Sequence, residues 1–87
     1  MVLISKKDIK ELSKSAGIST VEEGVDDLII TAVKVRAEKG IFKTSDQIVS
    51  FVNFILSKGK MLLLNAKRKK LTVTMVEFVI KNSSYVL

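Results

Sequence analysis

The stretch from Ile48 to Leu64 limits what this chain can become. Ile48, Val49, Phe51, Val52, Phe54, Ile55 and Leu56, followed by Met61 to Leu64, put apolar side chains on most of the circumference of a helix. Such a segment is expected to be the central, buried element of an all-α protein. The chain that must cover it has 87 residues, enough for a single domain spanning 1–87. A domain of that size buries only about 60–65% of the surface of its unfolded chain. With 47% apolar residues and a mean hydropathy of +0.30, the chain carries more apolar surface than a small monomer readily hides. An obligate oligomer, in which a partner subunit takes up the excess, is therefore expected.

The rest of the sequence reads as shorter helices with polar connectors, and no proline interrupts it. Ser5-Lys6-Lys7-Asp8 predicts a first helix, with Ser5 as its N-cap, Ile9, Leu12 and Ala16 on one face, and Gly17 at its end. Ser19-Thr20-Val21-Glu22-Glu23 carries the capping-box spacing and predicts a second helix from there. Its apolar face would be Val21, Val25, Leu28, Ile29, Ala32 and Val33. The acids Glu22, Glu23, Asp26 and Asp27 would lie in its first two turns, with Lys34, Arg36 and Lys39 near its end, as the helix dipole favours. Gly40 to Thr44 breaks the pattern, and Thr44 or Ser45 opens the apolar third helix, with Gly59 as a candidate kink. Lys67-Arg68-Lys69-Lys70 ends it, and Leu71-Thr72-Val73 alternates like a short extended piece. Thr74-Met75-Val76-Glu77, a second capping box, predicts a last helix to about Lys81, followed by a Tyr85-Val86-Leu87 tail. No internal repeat is visible in the residues.

Composition removes much of catalysis. Without histidine or cysteine, the commonest general base, the commonest transition-metal ligand and any thiolate site are missing. The four glycines form no phosphate loop, and nothing supplies the base and orienting group that nucleophilic chemistry needs. Glu22-Glu23 and Asp26-Asp27 share a helical face on which a metal is conceivable, but dipole-favouring solvated acids explain them better. The expectation is a binding protein, not an enzyme, with no cofactor and no metal. No apolar run exceeds four residues, and Met1-Val2-Leu3-Ile4 precedes Lys6-Lys7 in the wrong order for a secretory signal. A cytoplasmic protein without a membrane partner is expected.

Fifteen Lys plus Arg against nine Asp plus Glu give a net charge of +6, and the surplus is uneven. Lys58, Lys60, Lys67, Arg68, Lys69 and Lys70 fall in a stretch without an acid. Such a basic end is a candidate polyanion footprint or, on the bland reading, a solvated surface.

The run from Asn65 to Ile80 resembles the histone fold where its long central helix ends. There a small residue, a basic cluster, an apolar-Thr-apolar strap and a short amphipathic helix follow one another. Ile9 to Gly17 is similar to the first histone helix, Ile18-Ser19-Thr20 to the first loop and Val21 onward to the central helix. The stretch between these ends is longer than in the family. It implies an insertion or a split central helix, hence four helices, or a second register with 20–39 as first helix and 45–69 as central helix. Met75 stands where the family carries an Asp that pairs with the second-loop Arg, and the first loop has no basic residue.

The resemblance implies a handshake dimer, homotypic or with a histone-fold partner, in which the first loop of one subunit lies beside the second loop of the other. It implies duplex DNA held through phosphates without sequence readout, in a nucleoid-associated protein. Lys67, Arg68, Lys69 and Thr72 would be the second-loop contacts, with Lys70 where the family often has Thr.

Two other readings have residues behind them. Ala16-Gly17-Ile18-Ser19 fits the turn of a helix-turn-helix, but its recognition helix would present Glu22, Glu23, Asp26 and Asp27 to a polyanion. A protein-protein interaction module that dimerises without touching DNA is the stronger alternative. Phe42, Phe51, Phe54 and Phe78 then serve as core or interface residues rather than base-stacking platforms.

Overall fold

A computed structural model describes residues 4–82 and is mostly helical. The predicted tail at Tyr85 to Leu87 lies outside the described residues. Helix α1 spans Lys6–Ser15 and starts at the expected cap. The Asp8 amide donates to Ser5 Oγ at 3.1 Å, and the Ser5 amide donates back to the Asp8 carboxylate at 3.0 Å. That second bond holds the Asp8 carboxyl below its ordinary value. Ile9 is buried on the inner face, and Gly17, at φ +82°, turns the chain out of the helix.

The capping box predicted at Ser19 to Glu23 does not form. Thr20–Val21 is a strand, β1, and α2 begins only at Val25 and runs to Glu38. Gly24 takes the N-cap position at φ +98° and supplies no side-chain cap. The reason is tertiary. Thr20 and Val21 pair with residues near the other end of the chain, and the Glu22 carboxylate is drawn to Val73 instead of its own helix. Val25, Ile29, Ala32 and Val33 are buried as expected, whereas Val21 sits on the strand.

Helix α3 spans Ser45–Asn65, with the Thr44 hydroxyl accepting from the Gln47 amide at 3.3 Å. The stretch that the resemblance assigned to one long central helix is thus two helices, α2 and α3, joined by a turn from Lys39 to Thr44. Helix α3 is long and apolar enough by length and composition to cross a bilayer. Its stripe Ile48, Phe51, Val52, Ile55, Leu56, Gly59 and Leu63 is buried within this fold. Phe51, fully buried, meets Phe42 at 5.4 Å between ring centroids and lies 5.1 Å beneath the Arg36 guanidinium.

The helix runs through Gly59 without a break. The glycine instead admits a neighbour: a Cβ there would stand 2.8 Å from Cδ1 of Leu71. Leu71 belongs to the second strand, β2 (Lys70–Leu71), and α4 follows over Val73–Lys81. The cap of α4 is Thr72, whose hydroxyl accepts from the Met75 amide at 3.2 Å, and not Thr74. Strand pairing fixes where Leu71 ends and so moves the helix start earlier than the Thr74 motif predicted.

The strands β1 and β2 are parallel, with Thr20 opposite Lys70 and Val21 opposite Leu71. The pair lies within one chain, whereas the resemblance implied strap contacts between two subunits. Because α2 and α3 are separate, the chain folds back and meets itself.

The two halves also repeat one backbone path fifty positions apart. At the end of α1, amides 16, 17 and 18 donate to carbonyls 12, 14 and 13; at the end of α3, amides 66, 67 and 68 donate to carbonyls 62, 64 and 63. Both ends then pass through a left-handed residue, Gly17 and Lys67, into a strand. Equivalent elements pack together, α1 on α3, β1 on β2 and α2 on α4. Backbone geometry repeats where the residues do not.

Candidate nucleic-acid interface

The strand pair brings two turns to one end of the molecule. One leaves α1 through Gly17, Ile18 and Ser19; the other leaves α3 through Ala66, Lys67, Arg68 and Lys69. Ile18 is buried and anchors the first turn, while Ser19 and Thr20 are exposed. In the second turn Lys67, Arg68, Lys69 and Lys70 are all exposed, and none makes an ion pair among the described residues. Four consecutive cations therefore face solvent on a short segment held at both ends by backbone bonds. The Arg68 amide donates to the Leu63 carbonyl at 2.9 Å on one side, and the Glu22 amide donates to the Leu71 carbonyl at 2.8 Å on the other.

Lys67 adopts φ +56°, alone in this region among the described non-glycine residues. Its counterpart in the first half is Gly17, the residue type that suits this place after a helix. We expect Lys67→Gly to raise stability by about 0.5–1 kcal/mol in urea denaturation. The same change should cost one phosphate contact, about 0.9 in the salt slope of DNA binding. Stability and binding moving in opposite directions would show that lysine is kept here for its charge.

The other predicted groups are placed differently. Thr72 is half-buried, and its oxygen is engaged as the α4 cap. The α4 N-terminus is not open to a phosphate at Val73, because that amide donates to the Glu22 carboxylate at 3.0 Å. The exposed cations of this end are thus concentrated on Lys67 to Lys70. Lys60, half-buried, belongs to the acid-free stretch but turns inward: a Cβ on Gly17 would fall on its ammonium group. It lies over the last turn of α1, where a helix dipole favours a cation. Glu22 and Lys60 both lie against residues distant in sequence, and no local spacing announces either placement.

A cleft of about 600 Å³ opens between α1 and the start of α2. Lys6, Lys10 and Lys14 line one side and Asp26 and Asp27 the other, with the buried Ser13 between them. Lys6 and Asp27 bridge its mouth at 3.4 Å. Charges of both signs make it a poor seat for a polyanion. The acids Glu22, Glu23, Asp26 and Asp27 do not converge, and among the described residues no cluster of acids is placed to hold a metal. No known protein family, curated protein or solved structure matches the chain.

Proposed function

We propose that this protein binds duplex DNA in a histone-like manner, through phosphates and largely without sequence readout. The observation that carries the reading is the exposed run Lys67, Arg68, Lys69 and Lys70, fixed on a strap between two helices, in a segment with no acid from Gln47 through Val76. Long cations on a short, doubly anchored segment suit a backbone lattice whose charges recur every few ångströms, and contacts to phosphates position a protein without reading sequence. Lys67, Arg68 and Lys69 are the principal contacts, with Lys70 and the Thr72 hydroxyl behind them.

The test is a titration of random-sequence duplex DNA at two salt concentrations, with mass measured on the same sample by light scattering. Affinity that falls steeply with salt and is indifferent to sequence supports the reading. No affinity even at low salt overturns it and leaves the interaction module, for which the exposed Met61, Leu64 and Phe78 speak directly.

A further inference from the structure

Away from the straps, α3 and α4 leave an apolar groove between them. Phe54, Met61 and Leu62 line it from α3 and Phe78 and Val79 from α4, with Lys58 at its edge. Its volume, about 210 Å³, holds one or two inserted side chains and no small-molecule cofactor of ordinary size. Met61 is 54% and Phe78 57% exposed, although both stand beside a well-packed core. Contiguous exposure of large apolar side chains on so small a protein marks a contact surface.

The charge around the groove selects what covers it. Lys58 holds its ammonium 5.9 Å from the centre of the Phe54 ring on the α3 wall, which carries no acid, while beside the α4 wall the exposed Glu77 is offset by the exposed Lys81. The groove follows α3 as far as Asn65, next to the exposed Lys67 to Lys70 run. A second copy would set one surface against another of the same sign, since the chain carries a net charge of +6. A surface that carries acids beside apolar side chains meets no such repulsion.

We propose that this groove docks an acidic amphipathic helix from another protein. Apolar side chains at i and i+3 or i+4 of that helix fill the space between Met61 and Phe78, and its flanking carboxylates meet Lys58 and the basic end. The apolar groove itself is distinct from the strap, which the docked helix reaches only through its flanking carboxylates, so the proposal does not rest on DNA binding.

The probe is a fluorescent 20-residue synthetic helix with a Leu/Phe stripe flanked by Glu, compared with a twin carrying Gln for Glu and a twin carrying Ser on the stripe. Anisotropy titrations at two salt concentrations are expected to show binding of the first peptide, with both twins weaker by about tenfold or more. Met61→Ala with Phe78→Ala should weaken binding about tenfold or more, and Lys58→Gln should weaken it less while reducing its salt dependence. Both sites are exposed, so circular dichroism should show the variants folded, and duplex DNA affinity should stay at the unaltered level. The proposal is overturned if the peptide fails to bind, if all three peptides bind alike, or if the apolar double variant binds as well as the parent. It is also overturned if light scattering shows a dimer that the double variant abolishes, since the groove would then belong to a second copy.

Discussion

Replacing Lys67, Arg68 and Lys69 together by alanine is expected to lower affinity for random-sequence duplex DNA about a hundredfold near 0.1 M salt. It should also flatten the plot of log affinity against log salt by about 2.7. Each phosphate contact releases condensed counterions and contributes about 0.9 to that slope, so three lost contacts account for both changes. The fold should survive, because the three side chains are exposed and the amides of Lys67 and Arg68, which close the end of α3, are untouched. Surface changes of this kind usually stay within about 0.5 kcal/mol. Titration at two salt concentrations beside a thermal melt separates the two effects. An unchanged slope in a folded variant would remove this strap from the binding site.

Gly59→Leu is expected to destabilise the protein by about 3 kcal/mol or more, measured by urea denaturation. Even the first added carbon would stand 2.8 Å from Leu71 Cδ1, inside normal contact distance. Leu71 is fully buried and has no route outward, since its carbonyl accepts from the Glu22 amide and its neighbour Lys70 pairs with Thr20. Overpacking a tight site costs about 1–3 kcal/mol for small additions, and a whole isobutyl group exceeds that range. Such a loss is a large share of the roughly 5 to 13 kcal/mol available to a domain of this length. Gly59→Ala is expected near neutrality, because about 1 kcal/mol of improved helix propensity opposes the same close contact. Adding Leu71→Val to it should restore room and leave a net gain. The equivalent positions in the first half, Ile9 and Val21, already combine a larger helical residue with a smaller strand residue.

The groove between α3 and α4 bears on the apolar excess of the sequence. Most of that excess is consumed inside one chain, where Val25, Ile29, Val33, Phe51, Val52, Ile55 and Leu56 are almost wholly buried. What remains outside among the described residues is Val35, Val49, Met61, Leu64 and Phe78, of which Met61 and Phe78 come together at the groove. The helix proposed for the groove would cover Met61 and Phe78 on a core that is already packed.

Much of the local structure could be read from the residues because it depends on neighbours. The Ser5 and Asp8 box, the Thr44 cap, the glycine exit at position 17 and the buried stripe of α3 each follow from side chains a few positions apart. The basic strap was legible for the same reason, as an unbroken run of four cations ending a helix. The tertiary structure decided everything that required the two ends to meet. It turned the capping box at Thr20 into a strand, sent the Glu22 carboxylate to Val73, made Gly59 a seat for Leu71 instead of a kink, and moved the α4 cap to Thr72. It also imposed on two dissimilar sequences the same helix-turn-strand path fifty positions apart. The physical reason is common to all of these. A capping box or a helix-breaking glycine is worth about 1 kcal/mol, and parallel strand pairing with burial of Leu71 outweighs it once the chain has folded back.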